Sequence, residues 1–223
     1  MSSDKNPQKV QSMFDEVSEY YDLMNNLMSF GSHHILRFLA IKELNIKPRS
    51  NVLDTCCGTG DFVRVIKKLA PRAKVLGLDF SAGMVKLAKK KNPKGTFMVG
   101  NCTDLPFGDS EFDYVTNGFG LRNIEDSEKA LDEINRVLKK GGKFLHMDFG
   151  YHNIFWSVLD ICVPVLVKLL KKNSAPYSYL LKTKSEFPEP DELVKQFEQH
   201  GFRSLKIRNY LLGTISVQIM EKV

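Results

Sequence analysis

The chain has 223 residues, of which 43% are hydrophobic and 26% charged, with a formal net charge of +6. That length holds one domain with a well-buried core and excludes a second full domain, and the composition excludes extensive disorder. The positive balance permits an anionic partner such as nucleic acid or a phospholipid surface without demanding one, because much of it lies in lysine runs (Lys67 and Lys68, Lys89 to Lys91, Lys139 and Lys140, Lys171 and Lys172) at the ends of helical patterns, where cations complement the helix dipole.

The opening MSSDKNPQKV has neither a hydrophobic signal core nor an Arg-rich amphipathic helix, so cytoplasmic residence is the expectation. Apolar residues then recur at helical spacing through VQSMFDEVSEYYDLMNNLMSFGSHHILRFLAIKEL, with Gly31 dividing the pattern in two. NVLD (51–54), KVLGLD (74–79), GTFMVGN (95–101), FDYVTNGF (112–119) and GKFLHMDF (142–149) read as short strands, and helical patterns fall between them at 61–70, 82–91 and 127–139. In the last of these Leu131, Ile134, Val137 and Leu138 share a face, Asp126 or Ser127 caps the start, and Gly141 and Gly142 stop it. NIFWSVLDICVPVLVKLLKK is a long apolar segment that Asp160, Pro164 and Lys168 keep from being a membrane span; it reads as a core or lid helix. EPDELVKQFEQHGF is a capped amphipathic helix ending at Gly201, and RSLKIRNYLLGTISVQIMEKV reads as two strands with a turn near Gly213.

Alternating strands and helices predict an α/β fold: a mostly parallel seven-stranded sheet with helices on both faces and an antiparallel C-terminal edge pair. Residues 1–45 are expected to form an N-terminal helical lid over a domain of residues 46–223, with a helical substrate-side insertion at 150–190. Ligands of such sheets bind at the carboxyl ends of the strands. Those ends are Asp54, Asp79, Asn101 and the stretch Asn117 to Asn123, all polar or glycine-rich.

Four cysteines (Cys56, Cys57, Cys102, Cys162) show no CxxC spacing and five histidines no HxxxH pair, so no metal site is predicted; Cys56 and Cys57 read as small hydrophobes in a tight loop. VLDTCCGTGD supplies Gly58 and Gly60, which remove side chains where a ligand would collide, but it lacks the first and third glycines of a dinucleotide fingerprint. Asp61 near the helix start would also repel a pyrophosphate. A cationic cofactor reverses that argument. S-adenosylmethionine carries a sulfonium and an ammonium, so Asp54 and Asp61 attract its amino-acid end, and Asp79, nineteen residues after Gly60, is placed to accept from both ribose hydroxyls. The polar pair Asn101 and Cys102 after the third strand completes the pattern of a methyltransferase.

MFDEVSEYYDLMNNLMSFG, VLDTCCGTGD, VLGLDFSAGMVKLA, GNCTDLPFGDSEFDYVTNGFGLRN, EINRVLKKGGKF, the YSYL before FPEPDEL, and NYLLG resemble the UbiE/MenG family of quinone-biosynthesis C-methyltransferases, from about residue 13 to the C-terminus. The resemblance implies a Rossmann-like class I methyltransferase that methylates a ring carbon of a polyprenylated demethylmenaquinol or the related benzoquinol of ubiquinone synthesis. Carried over by position, it implies cofactor contacts at Thr59, Asp79, Asn101, Cys102, Asn117 and Gly118, beside the loop residues Asp54, Gly58 and Gly60. The chain departs from the pattern at Gly118, where many members have serine, at Gln218, which replaces a common histidine, in lacking the usual tryptophan after Gly31, and in a shortened segment before YSYL.

Methylating aromatic carbon needs a ring made nucleophilic by loss of a hydroxyl proton. Arg122 and Asn123 of FGLRN are expected at the mouth of the cofactor pocket, Arg122 stabilising the phenolate or holding a water and Asn123 orienting the oxygen. The alternative for Arg122 is a surface ion pair with Glu125 or Asp126. Tyr21 and Asp22 belong to the lid, Tyr21 closing over the cofactor or simply packing. His33, His146 and His152 are candidate proton acceptors with nothing local to choose among them. The partner is thus a lipophilic quinol, with the cationic surface and the apolar 154–170 segment suited to transient membrane-surface contact; a homo-oligomer is compatible with the sequence. Nucleic acid is not expected, because the chain has no (N/D)PP(Y/F) loop and no Pro-Cys nucleophile. A methyltransferase for another hydrophobic small molecule, and a silent scaffold that kept the fold, are the rival assignments.

Overall fold

The strand sequences carry apolar residues for two faces. Val52 and Leu53, Tyr114 and Val115, Leu145 and Phe144, and Val217 and Met220 divide between two buried layers, one on each side of the sheet. The computed structural model describes residues 5–17, 25–26, 29, 31–153, 156, 161 and 175–223, with side chains from 178 onward in the last range. Its strands are β1 (Asn51–Thr55), β2 (Lys74–Asp79), β3 (Thr96–Val99), β4 (Phe112–Gly118), β5 (Leu138–Phe149), β6 (Phe202–Tyr210) and β7 (Ile215–Lys222). The helices are α1 (Pro7–Val17), α2 (Ser32–Leu44), α3 (Asp61–Leu69), α4 (Ala82–Lys91), α5 (Ser127–Val137), α6 (Ala175–Ser185) and α7 (Pro190–Gln199).

The sheet order is β3-β2-β1-β4-β5-β7-β6. The first five strands are parallel, and β7 enters antiparallel between β5 and β6, as the C-terminal pattern predicts. After β3 the chain crosses back to place β4 on the other side of β1, so the crevice of the switch point opens between the carboxyl ends of β1 and β4.

Helices α2, α3 and α4 cover one face through Leu36, Ile41, Phe62, Ile66 and Val85, and α5 and α7 cover the other through Leu131, Ile134, Leu193 and Phe197. Helix α5 is capped as expected, Asp126 accepting from the Lys129 amide at 3.0 Å; Ser81 caps α4 by accepting from the Met84 amide at 3.0 Å, whereas α7, expected to be capped, has Glu189 at its N-cap without a side-chain cap and Pro190 in its first turn. The third predicted helix ends at Val137 rather than 139, and β5 starts at Leu138 rather than Gly142. Leu138 has the apolar character of the helix face, yet it pairs with Phe112 across the ladder, and a register shift between Phe112 and Tyr114 accommodates the longer strand.

Helix α2 belongs to the core, with Ala40, Ile41 and Leu44 at most 1% exposed. Tyr21, Asp22, Cys162 and the apolar 154–170 segment, apart from residues 156 and 161, lie outside the described residues. Among the described residues no helix is long and apolar enough to cross a membrane.

Close packing around β2 and β3 depends on absent side chains. A Cβ on Gly60, Gly77 or Gly95 would come within 2.9 Å of the Phe97 ring, so one aromatic fills the space of three missing methyls. On the opposite face Phe144 is fully buried and meets Phe197 edge-on at 5.6 Å. Phe144→Ala is expected to cost about 3–5 kcal/mol of stability, read from urea denaturation midpoints.

Candidate active site

From β1 the chain turns through Cys56 to Gly60 into α3, and Cys56, Gly58 and Gly60 all take positive φ, of 54°, 53° and 82°. The two glycines do different work. A Cβ at Gly60 would strike Asn92 and Phe97, whereas one at Gly58 would meet nothing within 4 Å. Gly58 therefore leaves its bare backbone toward open space, and Gly60 allows the turn to pack. The Gly58 amide donates to Asp79 Oδ2 at 2.7 Å, and the Ser81 amide donates to Asp79 Oδ1 at 2.9 Å, so the carboxylate at the end of β2 holds the loop in place. Burial raises the Asp79 carboxyl above its ordinary range, against the pull of those backbone hydrogen bonds.

A cavity of about 180 Å³ opens there. Gly58, Asp79, Asn101 and Cys102 line one side, Gly118 and Asn123 the other, and α1 closes it with Val10, Gln11 and Phe14. Gln11 Nε2 donates to the Phe80 carbonyl at 3.1 Å, while Asp15 accepts from the Gly83 amide at 3.0 Å and from Ser81 Oγ. A carboxylate thus sits on the N-terminus of α4, where the helix dipole favours it. Glu125 and Asp126 join Asp79 at the cavity wall, with Lys5 as its cation. Nothing in this wall resembles a phosphate cradle, and the carboxylates suit a cation.

The other acids of the loop are neutralised. Asp54 is 1% exposed and off the cavity, accepting a hydrogen bond from Thr116 Oγ1 at 2.7 Å. Burial, joined by the charge of Asp79, pushes its pKa up to about 8 against that bond. Asp61 lies 3.8 Å from Arg37, 3.0 Å from Arg64 and 3.6 Å from Lys91. Burial pushes its carboxyl up, but the three cations outweigh burial and hold it below the ordinary carboxylate range. Asp54 and Asp61, expected to attract a cationic ligand, are thus occupied inside the protein, and the carboxylates that line the cavity are those of Asp79, Glu125 and Asp126. His33, His34 and Asp61 bring potential ligand atoms within 4.8 Å of one another, but the same three cations already claim that carboxylate.

The ubiE/COQ5 methyltransferase family model matches residues 2–222. The chain belongs to this family. It is 37% identical to the demethylmenaquinone methyltransferase of Staphylococcus carnosus, over 96% of this chain and 93% of that one. Its fold is that of a SAM-dependent methyltransferase from Aquifex aeolicus (TM-score 0.64, 19% identity, 98% and 99% of the two chains covered) and equally of the [4+2]-cyclase SpnF (TM-score 0.73, 16% identity, 97% and 96% covered). A cyclase on the same scaffold means that fold alone does not specify methyl transfer; the family membership does.

Within this family member, Gly58, Asp79, Asn101, Cys102, Gly118 and Asn123 come together around the cavity, while Asp54, Thr59, Gly60 and Asn117 stand behind it. Thr59 Oγ1 accepts from Lys91 Nζ at 2.7 Å. Asn117 Nδ2 donates to Thr55 Oγ1 at 3.1 Å and its Oδ1 accepts from the Leu121 amide at 3.0 Å. A Cβ at Gly118 would lie 2.7 Å from the Phe62 ring, so that phenylalanine fills the space a side chain there would need. Tyr21 lies outside the described residues. Cys57 packs in the core, whereas Cys56 lines the cavity with its Sγ 3.8 Å from that of Cys102; their mutual hydrogen bond, with burial, raises the Cys56 thiol well above its usual range.

Arg122 is not at the mouth. It is 6% exposed, and its Nη1 donates to Asp148 at 2.7 and 3.0 Å and to the Phe119 carbonyl at 2.9 Å, with the guanidinium over the Phe149 ring at 5.1 Å. Its partner is neither Glu125 nor Asp126. Asp148 was overlooked in the sequence, although polar His146 and Asp148 at alternate positions of an apolar strand were a signal of a functional face. Val10, Gln11 and Phe14 of α1 were not singled out either, because the sequence marks residues 1–45 as a helical lid without showing which side chains meet the cavity.

Asp54 gives a pH test. Its unfolded carboxyl titrates near the ordinary 3.8 and its folded one near 8, so the folded state is favoured below the lower value and loses that advantage as pH rises toward the upper. Asp54→Asn, which mimics the protonated acid, should gain stability relative to wild type between pH 5 and 8. Urea denaturation at the two pH values checks this; a constant difference would contradict it.

Proposed function

We propose that this enzyme transfers a methyl group from S-adenosylmethionine to a ring carbon of a polyprenylated quinol in menaquinone biosynthesis, converting demethylmenaquinol to menaquinol. One observation carries the cofactor: a switch-point cavity walled by Asp79, Glu125 and Asp126 and entered by the bare backbone of Gly58. Similarity over nearly the whole chain to demethylmenaquinone methyltransferases supports the quinol.

When bound, S-adenosylmethionine supplies a methyl group activated on a sulfonium. Asp79 accepts from its ribose hydroxyls, Asn101 and Cys102 flank the base, and Gly118 presents its backbone at the end of β4. Asp54, Thr59, Gly60 and Asn117 act one layer back by holding those loops. Asn123 orients the quinol oxygen, Arg122 lends positive charge to the phenolate through its fixed place on Asp148, and Tyr21 closes over the cofactor with α1 as the covering part, so that the lid expected over residues 1–45 excludes α2, which belongs to the core. The 150–190 insertion forms the substrate side: α6 lies against both α1 and the Leu121–Asn123 turn. Excluding water while positioning both reactants supplies much of the rate.

The decisive experiment is transfer of labelled methyl to demethylmenaquinol and to the demethylated benzoquinol under reducing conditions, with Asp79→Ala alongside. Label on one ring carbon of the naphthoquinol is expected, with cofactor affinity about tenfold or more weaker in the variant, as for loss of charge-assisted hydrogen bonds. Tight cofactor binding without transfer to either quinol would point instead to another hydrophobic small molecule.

The prenyl tail keeps the substrate in a bilayer, so the enzyme works from the cytoplasm at the inner face of the membrane, its net charge of +6 meeting anionic lipid. Flotation with anionic vesicles at low salt should recover the protein in the lipid fraction; its absence there removes the membrane contact and leaves the chemistry.

A further inference from the structure

The wall of the switch-point cavity is uneven in charge. Asp79, Glu125 and Asp126 face it with carboxylates, and among the described residues that line it Lys5 is the one cationic side chain. An anion in such a cavity is repelled from the acidic wall and favoured beside that ammonium. S-adenosylmethionine, whose net charge is positive, has the opposite preference. The two reactants therefore divide the cavity between them by charge.

Lys5 stands two residues before α1. The charges of Glu186, just beyond α6, and of Arg122, on the Leu121–Asn123 turn, both act on its amine. They place it in the corner where α6 adjoins α1 and that turn, on the substrate side of the cavity. Among the described residues Lys5 joins no ion pair: Glu186 lies 4.0 Å from Lys182, and Arg122 gives its charge to Asp148 at 2.7 Å. Burial lowers the proton affinity of the Lys5 amine, Glu186 raises it, and Arg122 acts with burial. The empty cavity thus holds this ammonium at some cost, and an anion set against it relieves that cost.

We propose that the Lys5 ammonium is the counter-ion of the quinol phenolate, an assignment that rests on the quinol function above. The O–H bond of the quinol breaks, the proton leaves to solvent water, the electron pair stays on the oxygen, and Lys5 Nζ donates a hydrogen bond to that oxygen. Ionisation is what makes the ring carbon nucleophilic, so a cation that lowers the pKa of the hydroxyl raises the reactive fraction at neutral pH. Arg122 acts from behind and shares its charge with Asp148, whereas the charge of Lys5 is uncommitted. The histidines considered as proton acceptors, His33, His146 and His152, do not line the cavity. Around the bound oxygen Asp79, Glu125, Asp126 and Glu186 oppose ionisation and Arg122 favours it, with the thiols of Cys56 and Cys102 also on the wall. Without Lys5 the acids are in the majority.

The test compares wild type, Lys5→Met and Lys5→Arg as complexes with S-adenosylhomocysteine, with thermal melting as the check on folding. A dihydroxynaphthalene is added under reducing conditions and its ionisation followed by ultraviolet absorbance against pH. Bound to wild type it should ionise at least about one pH unit lower than when bound to Lys5→Met, the smaller end of the shift that a contacting opposite charge produces, with Lys5→Arg close to wild type. In methyl transfer to demethylmenaquinol, Lys5→Met should lower kcat at pH 7 by about tenfold or more, and the loss should shrink as rising pH ionises the quinol unaided; cofactor Kd should stay within about threefold. If Lys5→Met fails to fold, the Cε NMR signal of Lys5 in wild type decides, since it should move as the bound diol ionises. Equal diol ionisation in wild type and Lys5→Met, a kcat loss independent of pH, or a Lys5 signal indifferent to the diol overturns the role of Lys5 while the quinol function stands. Cofactor Kd weakened about tenfold with diol ionisation unchanged overturns it as well and gives the lysine to the carboxylate of the cofactor. Failure of wild type to methylate either quinol overturns the function and this role together.

Discussion

Asn117, fully buried at the end of β4, ties that strand to β1 through Thr55 while its own oxygen takes the Leu121 amide, and this one side chain sets the separation of the two loops between which the cavity opens. An apolar residue there would strand the Leu121 amide inside the protein, which is why a hydrogen-bonding amide occupies a place that packing alone would give to leucine. The same row continues across the sheet. Thr55, Asn117, His146 and Gln218 are in register on β1, β4, β5 and β7, two residues beyond the apolar row Leu53, Val115, Phe144 and Met220. One face of the sheet thus changes within a single pleat from hydrocarbon to a hydrogen-bonded layer.

Charge is distributed around this boundary by burial as much as by sequence. Three aspartates surround the glycine loop within 26 residues, and each has a different environment: Asp54 is desolvated toward its neutral form, Asp61 is enclosed by Arg37, Arg64 and Lys91, and Asp79 is committed to two backbone amides at the cavity wall. Only Asp79 reaches the ligand space, helped by Glu125 and Asp126. Arg122 likewise owes its position to a carboxylate inside the protein. Truncating it leaves Asp148 buried and unpaired, so loss of activity in such a variant mixes damage to the fold with loss of chemistry.

Much of this was legible in the sequence. Alternation of short apolar strands with capped helices gave the doubly wound sheet, and the C-terminal pair gave its antiparallel edge. Gly58, Asp79, Asn101, Cys102, Gly118 and Asn123 were recognisable because strand ends and glycines mark where a ligand meets the backbone. Contacts that join distant segments were not legible: Arg37 is 24 residues from Asp61, and Asp148 is 26 from Arg122, and neither spacing has a periodic signature. Nor does a sequence reveal that Asp54 lies one layer too deep to touch a ligand, because its place in the motif is the same whether its carboxyl faces the cavity or Thr116.

The Phe97 ring, lodged where Gly60, Gly77 and Gly95 lack side chains, also limits how this protein can change over time. Gly95 cannot acquire even a methyl while the aromatic remains, whereas shrinking Phe97 first would open the space it needs; Gly60, at positive φ against Asn92, and Gly77, against Cys57 Sγ, stay restricted with or without the ring. Substitutions at positions 95 and 97 are therefore accessible in one order and blocked in the other. A lineage that has lost the ring can explore a side chain at position 95 closed to a lineage that retains it, so the history of this corner of the fold depends on which change came first.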